Sequence, residues 1–182
     1  MKFTELEIPG VFHLQGQPFV DDRGSFFRHF CAKEFESHGL EAIVAQGNIS
    51  INRAAGTLRG FHYQIKPHEE AKTLSCLTGG IYDIVVDLRQ DSPTFMKWIS
   101  VTLEAKNYCS LYLPRGCANA WMTTHPNTIV HYYMGDFYDA DSYRGFHYKD
   151  PSFGFVWPSE PKIISDQDRN LPNFDLRSLG DK

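Results

Sequence analysis

At 182 residues, the chain is about the length of one domain with a substantial core. A formal net charge of −4 leaves no basic footprint for nucleic acid, and no apolar run approaches a membrane span. The opening stretch MKFTELEIPGVF lacks the apolar centre of a secretory signal, so a cytoplasmic protein is expected.

In chain order, residues 10–20 alternate like a strand, and Asp21-Asp22-Arg23-Gly24 reads as a turn. Residues 32–38 form a short helix candidate closed by Gly39. Strand candidates follow near 42–50, 57–65, 73–78, 81–88, 97–104, 109–113, 118–124 and 129–138. Gly79-Gly80, Asp91-Ser92-Pro93, Pro114-Arg115-Gly116 and His125-Pro126-Asn127 punctuate them. Beyond Tyr143 a tail rich in Pro, Asp, Ser and Gly is expected to wrap the body and carry one or two short helices. Many short strands, with 14% aromatic residues, predict a mainly β sandwich or barrel in one domain over 1–182. Cys31, Cys76, Cys109 and Cys117 show no CxxC spacing and read as free thiols, neither disulfides nor zinc ligands.

Arg59, His62, Lys72 and Asp87 fall inside segments that otherwise read as buried strands. Charge in a strand interior is costly without partners or a ligand, so the four together predict a polar pocket within a β-fold. A lone strand His is commonly structural, and a Lys at the start of a strand is commonly solvated. Placed together, they suit removal of a proton beside a carbonyl. An imidazole can act as base near neutral pH, and a fixed cation can hold the charge that develops on oxygen.

The ordered blocks DDRGSFF (21–27), QGNIS (46–50), LRGFHYQ (58–64), AKTL (71–74), YDIVVDLRQDSPTF (82–95), YLPRGCANAW (112–121), HYYMGDFY (131–138), KDPSFGFVWP (149–158) and ISDQD (164–168) resemble the dTDP-4-dehydrorhamnose 3,5-epimerase family. The resemblance runs from about Pro9 to Leu171. It implies a cupin-like jelly roll with a few short helices, acting without cofactor or metal on a nucleotide-diphospho-4-keto-6-deoxy sugar. It further implies that His62 is the general base, Asp168 its orienting partner, Lys72 the holder of the enolate and Tyr132 the acid on the opposite face. Asp166 is a neighbouring candidate for the partner of His62, Asp87 suits a structural role beside Arg89, and a one-residue slip would exchange Tyr132 with Tyr133. Arg23 and Arg59 match phosphate-binding positions, Gln46 and Asn48 the nucleotide site, and Phe19, Phe26 and Tyr138 are candidates to stack on base or sugar or to fill the core. The family's N-terminal strand region, here 1–50, is shared across a homodimer, so Arg23 is expected at the neighbouring subunit's site, with 143–182 as the C-terminal wrap.

Two departures stand out. Asn119 occupies the place of the family's active-site His, and an amide cannot titrate. Arg28 stands where a Glu is usual. Both bear on which nucleotide is bound and on whether carbons 3 and 5 are both inverted. Rival readings are a single-carbon epimerase, a 3,4-ketoisomerase, a metal-dependent cupin and a non-catalytic sugar-nucleotide binder. The metal reading wants a clustered His pair, where this chain has His62-Tyr63-Gln64. The binder could have lost any of His62, Lys72, Tyr132 and Asp168.

Overall fold

The computed structural model describes residues 1–180. In chain order the elements are β1 (Lys2–Glu5), β2 (Phe12–Gln15), β3 (Phe19–Asp21), β4 (Gly24–Phe26), α1 (Ala32–Ser37), β5 (Gln46–Asn52), β6 (Thr57–Gln64), β7 (Lys72–Thr78) and β8 (Gly80–Asp87). They continue with β9 (Trp98–Glu104), β10 (Cys109–Leu113), β11 (Cys117–Thr123), β12 (Thr128–Met134), β13 (Tyr143–Gly145), β14 (Ile163–Ile164) and α2 (Asp166–Arg169). One sheet runs β1-β2-β10-β7-β12-β5; the other runs β13-β6-β11-β8-β9, with β14 added parallel to β6. The remaining pairs are antiparallel, and the two sheets close a jelly-roll sandwich of the expected class. No helix is long and apolar enough to cross a membrane among the described residues.

Strand alternation builds the core. Leu74, Leu111, Leu113 and Val130 from the first sheet meet Ile81, Val85 and Leu103 from the second, all nearly inaccessible to water. On the outer face of the first sheet, α1 seats Phe35 against Leu14, Leu40 and Tyr112. Burial of that ring stabilises by roughly 1.5–3 kcal/mol. On the outer face of the second, the C-terminal wrap stacks Phe146 and Phe155 on Phe61, with ring centroids 4.6 and 4.4 Å apart. Cys76, Cys109 and Cys117 are buried free thiols, and Cys31 is half-buried.

Several boundaries differ from the sequence expectation. The strand expected over 10–20 is broken into β2 and β3, because at Gly16 the chain passes under Phe27. A Cβ there would lie 2.6 Å from the Phe27 ring. The strand expected over 42–50 begins only at Gln46 and runs to Asn52. That expected over 129–138 stops at Met134, where Gly135-Asp136 turns the chain and the Gly135 amide bonds to the Ala71 carbonyl at 2.8 Å. The short helices of α1 and the wrap form where expected.

Asp87 faces away from the polar pocket. It accepts hydrogen bonds from Arg89 Nε (2.8 Å), Thr94 Oγ1 (2.6 Å) and Ser92 Oγ (2.5 Å), and so pins the loop after β8. Burial pushes its carboxyl up, but these donors outweigh burial and hold it below the usual range. Asp87→Asn is expected to cost about 2–4 kcal/mol in denaturant melts at neutral pH. A carboxyl with a depressed folded pKa stabilises above its unfolded pKa. The deficit should therefore shrink as pH falls below about 4.

Candidate active site

Strand β6 carries the centre of the site. Simple alternation would put Arg59 and His62, three residues apart, on opposite faces. In the pairing with β11, Asn119 opposes His62 and Trp121 opposes Arg59, so β6 spends three steps where β11 spends two. This bulge resets the phase and turns both side chains inward. Gly60 permits it: φ is +114°, and a Cβ would meet Ala120 at 2.6 Å.

Arg59, His62, Lys72, Asn119, Tyr132 and Tyr138 line one cavity of ≈ 430 Å³. His62, Arg59 and Asn119 project from the second sheet, Lys72 and Tyr132 from the first. Tyr132 shares the inner face with Leu74, whereas Tyr133 lies on the outer face, its ring 5.5 Å from Phe30.

Asp168 sits behind the cavity wall. His62 Nε2 donates to Asp168 Oδ1 at 2.7 Å, and the Gly60 amide donates to Oδ2 at 3.4 Å. Ser165 caps α2 by accepting from the Asp168 amide at 3.0 Å, which fixes the carboxylate's position; Asp166 is exposed. The Asp168 side chain is only 7% exposed. Burial pushes it up, but the bond and charge of His62, with Gly60 and Ser165, hold it below the usual range. With its proton held on Nε2 by a carboxylate, the imidazole keeps Nδ1 as its basic atom.

Lys72 Nζ lies 3.0 Å from Glu70 Oε1 and donates to the His62 carbonyl at 3.3 Å. The ammonium is thus anchored beside His62 from the facing sheet. Glu70 lines the cavity with a side chain 3% exposed, and its second oxygen, Oε2, is buried without a partner. Asn119 Nδ2 donates to Asp83 Oδ1 at 3.2 Å. Asp83 is wholly buried, and burial pushes its carboxyl up to about 8 against the pull of the Asn119 amide and the Lys72 charge. Arg59 donates to Asn52 Oδ1 at 3.1 Å and lies 5.8 Å over the Trp121 ring at the cavity rim. Tyr143 on β13 also lines the cavity, its ring 5.3 Å from His62, and burial pushes its hydroxyl up.

Other expected residues stand apart. Gln46 and Asn48 on β5 do not line the cavity but bond to residues that do. Gln46 Oε1 accepts from the Tyr138 amide, and Asn48 donates to Met134 Sδ at 3.3 Å. Phe19 (82% exposed), Phe26 (76% exposed) and Arg23 belong to the β3–β4 hairpin, which pairs with neither sheet. Neither ring fills the core, and Arg23 turns back on Asp21 at 2.6 Å. Arg28 pairs with Glu34 at 2.7 Å, beside α1. Glu70, Asp83, Trp121 and Tyr143 were not singled out in the sequence. Glu70 was within reach, since it precedes Lys72 by the two residues that keep a strand face.

The family model for dTDP-4-dehydrorhamnose 3,5-epimerase matches residues 5–175. The chain belongs to this family. A dTDP-4-dehydrorhamnose 3,5-epimerase of Shigella flexneri is 35% identical, over 96% of each chain. The crystal structure of a dTDP-4-dehydrorhamnose 3,5-epimerase from Bacillus anthracis, with TDP and PPi bound, superposes with a TM-score of 0.92. It is 38% identical and covers 95% of this chain and 99% of that one. ChmJ, a 3'-monoepimerase from Streptomyces bikiniensis solved with dTDP-quinovose, gives 0.85 at 30% identity, over 92% of this chain and 85% of that one.

The Asp83 carboxyl sets a pH signature. Its folded pKa exceeds the unfolded value, so its contribution to stability is complete below about pH 4. That contribution is lost as pH rises through about 8. The parent should lose stability across this window, while Asp83→Asn should show a flatter profile in denaturant titrations. Parallel profiles would contradict a buried, proton-holding Asp83.

Proposed function

We propose that the protein epimerises a nucleotide-linked 4-keto-6-deoxyhexose of the dTDP-4-dehydro-6-deoxyglucose type, through an enolate, in deoxysugar biosynthesis. The observation that carries this reading is the His62–Asp168 pair at 2.7 Å, with the Lys72 ammonium bonded to the His62 carbonyl inside one cavity. Family membership supports the same chemistry.

The ketone at C4 acidifies the C–H bonds beside it. His62 Nδ1 takes one of these protons, the electron pair moves into the ring, and negative charge gathers on the carbonyl oxygen. Lys72 stabilises that charge, which is larger in the transition state than in the ground state. Inversion needs a proton delivered to the other face. Tyr132 is suited to this because it comes from the sheet opposite His62 and carries a hydroxyl able to donate. The phenolate and imidazolium then exchange protons with solvent to restore the starting state.

Arg59 at the rim is the diphosphate ligand in this reading, with Gln46 and Asn48 beside the nucleotide. The β3–β4 hairpin supports a homodimer. Its apolar Phe19, Val20 and Phe26 are exposed, and Arg23 does not line its own chain's cavity, which favours Arg23 serving a partner's site. Asn119, a non-titrating amide held by Asp83, and the likeness to a 3'-monoepimerase keep inversion at C3 alone as a second reading.

Incubation of dTDP-4-keto-6-deoxyglucose with the protein in deuterium oxide, followed by NMR, tests both readings. Deuterium at C3 and C5 is expected for the double epimerase and at C3 alone for the single one; no label would refute both. His62→Ala should abolish exchange with nucleotide binding retained, and Asp168→Asn should slow exchange about 100-fold or more by releasing the imidazole's orientation.

A further inference from the structure

Within the cavity, Glu70 carries a contradiction. One carboxylate oxygen is engaged by Lys72 Nζ at 3.0 Å, while the other is buried with no donor. Buried carboxylate oxygens are ordinarily satisfied, because desolvation without a hydrogen bond is costly. No described residue supplies that donor, yet Glu70 forms part of the cavity wall. Its terminal torsion is soft, so a small turn presents the free oxygen to the cavity while Lys72 keeps hold of the other.

We propose that Glu70 is a substrate-reading residue whose free oxygen accepts the hydroxyl on the carbon next to the ketone. Lys72 and Glu70 then form a donor–acceptor pair that fits an α-hydroxy ketone. The ammonium faces the carbonyl oxygen, the carboxylate faces the neighbouring hydroxyl, and both contacts persist as carbonyl and carbinol flatten into the enolate. In a 4-keto-6-deoxyhexose only C3 bears such a hydroxyl beside the ketone, since C5 carries the methyl group and the ring oxygen. The pair therefore selects sugars hydroxylated at C3 and seats the C3–H bond for His62, whose carbonyl Lys72 also holds. The inference rests on the epimerase reading above and adds a determinant of which keto sugar is accepted.

Glu70→Gln is the discriminating variant. Lys72 requires an oxygen, so the carboxamide keeps its oxygen there and turns an NH2 towards the cavity, a donor in place of an acceptor. Solvent-deuterium exchange is to be measured for the 3-hydroxy substrate and for its 3-deoxy analogue, with parent and variant. The parent's preference for the hydroxylated sugar should shrink about 10- to 100-fold in Glu70→Gln, the loss expected for a hydrogen bond to a charged group. Glu70→Asp, which keeps the charge but withdraws both oxygens by one methylene, should narrow the preference in the same direction. An equal loss on both sugars would mean that Glu70 acts only through Lys72, and no loss on either would mean that it acts on neither; each overturns the proposal. Failure of the parent to exchange either sugar is a distinct result that would overturn the epimerase reading and this inference with it.

Discussion

The hydrogen bond from His62 to Asp168 joins the two ends of the molecule's logic, because its partners come from elements with no local relation. His62 lies on a central strand; Asp168 arrives more than a hundred residues later, on a single turn of helix. That turn is far too short to be stable alone. It is held by the Ser165 cap and by β14, which pairs with β6, the strand that carries His62. The stack of Phe146, Phe153 and Phe155 on Phe61 holds the preceding wrap against the same sheet. Aromatic packing on the outer face of this sheet thus helps to hold the segment that delivers the Asp168 carboxylate to His62.

A second dependence runs through charge. Lys72, Glu70 and Asp83 bring one cation and two carboxyls into a nearly dry interior. Such a group is affordable only if the charges offset one another. Glu70 pairs with the ammonium directly, and Asp83 is kept as a proton-holding acid by burial. The remaining unsatisfied atom, Glu70 Oε2, lies on the cavity wall, where a ligand can satisfy it.

Much of this was legible in the sequence. The strand-like segments 57–65 and 81–88 and the Gly- and Pro-marked turns predicted strands close to those observed, and charge within those strands predicted a pocket. Three of the four charged positions behind that expectation line it; Asp87 does not, because a charged strand end serves a neighbouring loop as readily as a cavity. What stayed hidden was phase. The bulge at Gly60 places Arg59 beside His62 against simple alternation, and no periodicity announces it. Asp83 was hidden because an Asp within an apolar strand reads the same whether it faces a cavity or lies beneath one. The break at Gly16 was hidden because its cause, Phe27, is distant in the pattern though adjacent in space.

Because His62 and Tyr132 stand on facing sheets, the gap between them is set by the thickness of the sandwich, about 10 Å between backbones in such folds. The packed layer of Leu74, Val85, Leu103 and Leu111 therefore works as a calliper. It sets how far apart His62 and Tyr132 stand, and of these four side chains only Leu74 also lines the cavity. A methylene added or removed in that layer would alter the jaw opening by a fraction of an ångström, on the scale that separates a productive proton transfer from an unproductive one. The same core side chains thus both fill space and keep a measured distance.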